Sequence, residues 1–355
     1  MPRFDAIDRR DALKAGLLFG SAGALVPLLA RGQAPAELKS LRSTAKSWLW
    51  AAEDFAMGNG DYERNGLKIA ATATGRGVNT DGLLSGATDV LLGAATQTMR
   101  VQILGRPVKM IAGMVNKYAS HVVVKKALMD KAGVTEGSPV AQKVAVLKGL
   151  KLGTTGPGAA PDSLFRYLLG LGGLDPNRDC ELVSIQGGGP AMLAGFERGV
   201  IDGFTLSSPT SDLAVQRFAG AYLFDMTRNP PAQLADYLYI AVSVTDRMMA
   251  EKTAQLQAYV KALGAALKVI NDNPEAFKTW AKAFFSDMDA ELFERSFASE
   301  RSIYSKSPVV SEAQFRLNVE FLDRELKLLG QSGVPATFKY ADAYDMRFAE
   351  AAARG

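Results

Sequence analysis

The stretch Leu150–Ser208 constrains the fold of this chain more than any other. Short apolar runs at Leu150–Thr154, Glu181–Ile185 and Ile201–Leu206 alternate with two helix-like segments, the βαβαβ pattern of a parallel sheet. Glycine, serine and threonine gather just after those runs: TTGPGAAPDS at 154–163, QGGGP at 186–190 and SSPTSD at 207–212. Each loop therefore falls at the carboxyl end of a strand, the side of an open α/β sheet where small ligands sit. The expected fold class is α/β.

The pattern has an earlier copy. LKIAATATGRGVNTDGLLSGATDV (67–90) lies on CELVSIQGGGPAMLAGFERGVIDG (180–203) without a gap, at one offset of 113. Gly75/Gly188, Gly82/Gly195, Gly86/Gly199 and Asp89/Asp202 all coincide. Each copy runs strand, glycine loop, short helix, then Gly-x-x-Asp into another strand, so a duplicated βαβ element is expected, with a cleft between the copies. Asp89 and Asp202 are expected to fix the helix-to-strand turns.

Around these copies, LKSLRSTAK (38–46) suggests a first strand, followed by Ser47-Trp48-Leu49-Trp50 and a helix to about Asn59. Further strands are expected at 87–94, 108–115, 120–126, 221–226 and 237–244. From Thr253 the chain turns helical, with Asn273 as an N-cap before Pro274.

At 355 residues there is room for two lobes with ordinary cores or one large domain. The composition, 48% hydrophobic and 22% charged, is that of a globular protein. Net charge is +4, but no Lys/Arg run or basic–aromatic stripe accompanies it, which argues against a nucleic-acid partner. Cys180 is the only cysteine and His121 the only histidine. An internal disulfide is impossible, a Cys/His metal site is not expected, and no cofactor is implied. His121, at the head of HVVVKK, reads as a partly buried strand-edge histidine rather than a member of a catalytic triad.

Residues 1–36 read as an export signal: a basic start, a glycine-broken apolar run from Ala15 to Ala30, and Ala34-Pro35-Ala36 as a small-residue cleavage site. The run is short and mildly apolar for a membrane anchor. Within it, Asp8-Arg9-Arg10-Asp11-Ala12-Leu13-Lys14 resembles the twin-arginine export motif in Arg9, Arg10, Leu13 and Lys14, and departs from it at Asp8 and Ala12. No cysteine lies near the cleavage point, so a free periplasmic protein, not a lipoprotein, is expected.

Several motifs together resemble the periplasmic substrate-binding proteins of ABC importers, in the nitrate/sulfonate/taurine and thiamine-precursor branch. They are GLKIA (66–70), SGATDVLLG (85–93), LKGLKLGTTGPGAAPDSLFRYLL (147–169), LDPNRDCELVSI (174–185), GFERGVIDGFTLSSP (195–209) and NDNPEAFKTW (271–280). The resemblance implies a two-lobed, type II-like periplasmic binding protein fold with a ligand cleft between the lobes and a helical C-terminal segment. One lobe would comprise 37–125 plus 241–355 and the other 126–240. It further implies a monomeric receptor, not an enzyme, that closes on a small solute and presents it to an ABC permease and its ATPase.

Site residues follow from the loops and the resemblance together. Thr155, Gly156 and Gly158 precede a helix near Pro161, whose N-terminal N–H groups favour an anion. The same loop also reads as a tight turn needing positive φ. The matching loop adds Arg76 and Gly77, the arginine able to fork onto a carboxylate or sulfonate or to sit in solvent. Trp48 and Trp50, two apart on an extended segment, share one face and would line one wall of the cleft, core packing being the rival role. Thr96, Gln97, Asn116, Ser207 and Ser208 are candidate polar contacts. The leading expectation is a receptor for a small organic anion, a sulfonate or carboxylate, aromatic ones included. A neutral pyrimidine-like solute stays open. A thiamine-pyrimidine synthase is disfavoured by a single Cys and a single His, and a regulatory effector lobe by the leader and the absence of a helix-turn-helix segment.

Overall fold

A computed structural model describes residues 35–74 and 80–354. Among the described residues, ten strands form two five-stranded sheets. The first has the order β2-β1-β3-β10-β4, from Leu67–Ala73, Ala36–Arg42, Val90–Ala94, Ile240–Thr245 and Val108–Val115. The second has the order β7-β6-β8-β5-β9, from Glu181–Ser184, Lys151–Thr154, Gly203–Leu206, His121–Lys125 and Gly220–Phe224. In both, three neighbouring strands run parallel and a fourth is inserted antiparallel. Strands β3 and β10 are buried along their whole length, β3 as a continuous apolar run and β10 with Ser243 satisfied by the Thr98 hydroxyl at 2.9 Å.

The copies at 67–90 and 180–203 take up matching places: β2 and β7 are edge strands, and β3 and β8 each sit two strands in. Gly86 and Gly199, at the ends of the intervening helices, hold φ of 78° and 72°, the left-handed conformation that glycine reaches without strain.

The antiparallel strand of each sheet arrives from the other sheet. The chain leaves β4 and enters the second sheet as β5; it leaves β9 and returns to the first as β10. His121–Lys125, assigned from the sequence to the first lobe, is thus hydrogen-bonded into the second sheet. His121 is not at a sheet edge: β5 lies between β8 and β9, and the residue is 1% exposed. The two crossing segments are tied side by side. Tyr118 stacks on Tyr239 with ring centroids 4.3 Å apart, and Lys117 Nζ donates to the Thr227 carbonyl at 3.0 Å.

The helical tail begins with Thr253–Asp272, whose buried Leu256, Tyr259, Val260, Leu263, Leu267 and Ile270 recur at helical spacing. Asn273 then caps helix Pro274–Phe284, its side chain accepting from Ala276 N–H. Helix Ala290–Glu300 carries two kinds of contact: Phe293 and Phe297 pack on Trp48, while Ser296, Ser299 and Glu300 reach polar groups of the second sheet and its loops. Among the described residues no helix is long and apolar enough to cross a membrane.

Candidate functional site

A cavity of about 380 Å³ opens at the carboxyl ends of the strands. The loops after β1, β3, β6, β7 and β8 all contribute, including the three glycine- and serine-rich loops picked out in the sequence. Its volume falls in the range of small-molecule sites. The walls are mostly apolar, with Leu49, Trp50, Leu193, Leu206, Leu213 and Tyr239 among them. Thr44, Ser47, Gln97, Thr155, Ser207 and Ser208 supply polar groups.

Four helices begin at this cavity: Ala95–Gln102, Ala160–Leu171, Gly188–Glu197 and Thr210–Arg217. None has a side chain capping its first turn. Four positive dipole ends therefore meet at one space, the first N–H of the Ala95 helix donating to the Tyr239 carbonyl at 2.9 Å. Two of these ends are partly offset by buried acids. Asp162 accepts from Gly158 N–H and pairs with Arg166 at 2.8 Å, and Asp212 accepts from the hydroxyls of Ser208, Tyr222 and Ser296. The other two have no acid in the first turn, so the barest positive end is Gly188-Gly189. Close packing keeps that turn free of side chains, because a Cβ on Gly189 would lie 2.3 Å from Thr210 Oγ1.

The loop after β1 is held from behind. Buried Arg42 pairs with Asp54 at 2.7 Å and Glu53 at 3.4 Å, and donates to the Ala45 carbonyl at 3.0 Å. Tyr259 donates to the other oxygen of Glu53. Burial pushes both carboxyls up, Asp54 to about 6, against the opposing pull of the one guanidinium. At the mouth, Lys46 and Asp287 form an ion pair at 2.9 Å, and the lysine hydrogen bond holds the Asp287 carboxyl below its ordinary value.

Of the residues named from the sequence, Trp50, Thr155 and Ser207 line the cavity, with Gln97 and Ser208 beside them. Trp50 Nε1 donates to Thr44 Oγ1 at 2.9 Å, which fixes the ring in the wall. Trp48 is not in the wall. Residues 48–50 form a 3-10 turn, so positions two apart point in different directions instead of sharing a face. Its ring is buried against Phe285, centroids 4.3 Å apart, with Phe277, Phe293 and Phe297 around it. Thr96 is buried behind the wall, accepting from Tyr237 OH, and Asn116 bonds through its backbone to Ile303 in the first crossing. Gly156 and Gly158, with φ of 130° and 73°, shape the turn, and Gly158 presents its carbonyl to Gln97. Arg76 and Gly77 lie outside the described residues.

Sequence reasoning missed Lys46, Ser47 and Asp287. Ser47 carried a signal, a serine immediately before an apolar turn, and its Oγ indeed accepts from Leu49 N–H. Asp287 carried none: it lies between two tail helices, far from every loop singled out.

The family model described as the NMT1-like family matches residues 37–284. The chain belongs to the NMT1-like family. A relative, the nitrate/nitrite binding protein NrtA of Synechococcus elongatus, is 38% identical over 79 residues, covering 22% of this chain. The match spans only 17% of that relative's length. Among solved structures, a protein of Bordetella bronchiseptica superposes with a TM-score of 0.75 at 18% identity, over 90% of this chain and 97% of that one. The alkanesulfonate-binding protein SsuA of Xanthomonas axonopodis pv. citri, bound to MOPS, gives 0.68 at 16% identity, over 88% and 99%. These likenesses establish the periplasmic binding protein fold expected from the sequence, and the resemblance to the nitrate and sulfonate branch is borne out. For this NMT1-like chain, the cavity at the strand ends is the candidate ligand site.

Proposed function

We propose that this chain is an extracytoplasmic solute receptor that captures a small organic anion, a sulfonate or carboxylate with an aromatic or alkyl body, for an ABC permease and its ATPase. The observation that carries the reading is the meeting of four helix N-termini without side-chain caps in one apolar-walled cavity. The helix ends suit an anionic head through N–H groups. Leu193, Leu206, Leu213 and Trp50 suit a body larger than an inorganic oxyanion. Lys46 and Asp287 cancel at the mouth, so the described lining favours a monoanion held by dipoles over a dianion held by ion pairs. The NMT1-like family match, and relatives named for nitrate and sulfonate binding, support transport as the setting.

The protein acts as a monomer of two lobes, one around each sheet, that close on the solute. Residues 1–36 direct export through a twin-arginine-like signal to the periplasm, and no chemistry is performed on the ligand.

A thermal-shift series on the mature protein tests the reading. Benzenesulfonate, benzoate and alkanesulfonates should raise the unfolding midpoint with concentration, by mass action, more than nitrate or a neutral pyrimidine. A response confined to nitrate or to uncharged pyrimidines would remove the organic-anion assignment.

A further inference from the structure

The two acids in the first turns of the cavity helices differ in what neutralises them. Asp162 pairs with Arg166 at 2.8 Å. Asp212, 4% exposed, accepts only from hydroxyls, those of Ser208, Tyr222 and Ser296, and among the described residues no cation pairs with it. Hydroxyl donors steady a carboxylate without cancelling its charge. The helix end on which Asp212 stands offsets only about half an elementary charge. The remainder is felt nearby: burial first, and then the Asp212 charge, push the Tyr222 phenol up. At Glu300 the same charge adds to the burial that raises the carboxyl, against the pull of His121.

That charge also borders the cavity. Ser208, Thr210 and Leu213, on either side of Asp212 in the chain, line the space, and Ser208 touches the carboxylate through its hydroxyl. With its proton given to Asp212, Ser208 Oγ offers any further partner lone pairs only. Thr210 in turn abuts Gly189, where a Cβ would lie 2.3 Å from Thr210 Oγ1. The bare helix end at Gly188-Gly189 and the turn that carries Asp212 thus stand side by side.

We infer that Asp212 is a specificity-determining residue that limits the bound head group to one negative charge, admitting sulfonates and carboxylates and refusing doubly charged phosphonates and phosphate monoesters. The inference rests on the organic-anion reading of this cavity and names the residue that narrows it. Attraction to helix ends grows in proportion to the charge on the ligand, whereas the cost of removing its water grows with the square of that charge. By subtracting from the attraction, Asp212 leaves enough for one charge and too little for two. Lys46, the charged lining residue that would restore the balance, is already paired with Asp287.

Calorimetric titration at one mildly alkaline pH tests it with two ligands of like shape. Benzenesulfonate is singly charged there, and phenylphosphonate, a tetrahedral head on the same ring, is doubly charged. The wild type should prefer benzenesulfonate by about tenfold or more. In D212N benzenesulfonate should tighten by about fivefold and phenylphosphonate by about twenty-fivefold, the square, because two charges feel the same change in potential. D212E keeps the charge and should keep the wild-type ratio. A role confined to bracing Ser208 and Ser296 would instead weaken both anions alike in D212N. An unchanged ratio in D212N, or a ratio in D212E that follows D212N, overturns the inference. So does a wild type that binds phenylphosphonate as tightly as benzenesulfonate, a comparison that needs no variant to fold. If neither anion binds the wild type or D212N, the organic-anion reading fails and this inference falls with it. Benzenesulfonate bound with an unaltered ratio leaves that reading standing and removes Asp212 from it.

Discussion

Asp89 and Asp202 make the same pair of bonds in two different sheets. The Asp89 carboxylate accepts from Lys39 N–H at 2.9 Å, and its own N–H returns to the Lys39 carbonyl. The Asp202 carboxylate accepts from Lys151 N–H at 2.9 Å, and its N–H returns to the Lys151 carbonyl. Lys39 is in β1 and Lys151 opens β6, the strands that hold matching positions in the two sheets. Each aspartate thus pins the entry of its third parallel strand to the first. The side chain stands at the opposite end of the strands from the cavity, which is why a glycine-and-aspartate motif shared by both copies is architectural.

The two sites differ in one respect that sets a stability order. Asp89 also pairs with Lys252 at 2.8 Å, and so joins the tail to the first sheet. D89A should cost about 2–3 kcal/mol and D202A about 1 kcal/mol, the larger loss reflecting a charge-assisted bond with a second partner. Urea unfolding of the two variants checks the order; equal losses would leave Lys252 without a role.

His121 holds the polar face of helix Ala290–Glu300 against the second sheet. Its Nε2 lies 2.9 Å from Glu300 Oε1 and its Nδ1 3.4 Å from Asp225 Oδ1. Burial alone would lower the imidazole pKa, but the hydrogen bonds and charges of Asp225 and Glu300 outweigh it and raise the value to about 10. Met226 N–H also points at Nδ1, from 3.2 Å, a contact that favours the neutral ring; the two carboxylates are the stronger influence. A pKa raised on folding stabilises fully below the ordinary value of 6.5, and the gain is lost as pH climbs toward 10. Wild-type urea midpoints should therefore fall across that window. H121Q leaves the buried Glu300 carboxyl without its cationic partner, while Asp225 keeps Arg228 at 2.6 Å; it should lose about 3–5 kcal/mol at neutral pH and show a flatter profile above it. Parallel profiles for the two proteins would remove His121 as the titrating group.

Much of this architecture was legible in the residues. Most strands among the described residues are short segments rich in apolar residues and separated by turn residues, and for β4 the expected and observed spans coincide at 108–115. What was not legible depends on geometry that linear spacing does not encode. Trp48 left the wall because a 3-10 turn replaced extended backbone, and HVVVKK gives no sign that its strand is inserted into the neighbouring sheet. The loops that bound the cavity were found because strand ends are marked by glycine and serine. Asp287 was not, because a turn between tail helices carries no such mark.

The two tryptophans should separate cleanly. W48A opens a hole among Phe277, Phe285, Phe293 and Phe297 and should cost about 3–5 kcal/mol of stability while leaving the preference among ligands as it was. W50A removes a wall of the cavity, and should weaken aromatic anions by about tenfold or more and alkyl ones less. Fluorescence titration with benzenesulfonate and an alkanesulfonate, set beside urea unfolding, distinguishes them. A selectivity change in W48A with none in W50A would reverse the assignment.

Lys46 and Asp287 predict effects of opposite sign. The pair spans the mouth with both side chains substantially exposed, so its worth to stability is small. Its worth to an approaching anion is larger, because each charge is masked only while the other is present. K46A leaves Asp287 as a lone negative charge at the entrance and should slow association of benzenesulfonate about threefold. D287N frees the ammonium and should speed it by a similar factor. Both effects should shrink as ionic strength rises, since exposed charges are screened by salt. Stopped-flow rates at low and high salt read all of this directly. Equal, salt-independent rates in the two variants would place the pair outside the path by which the ligand enters.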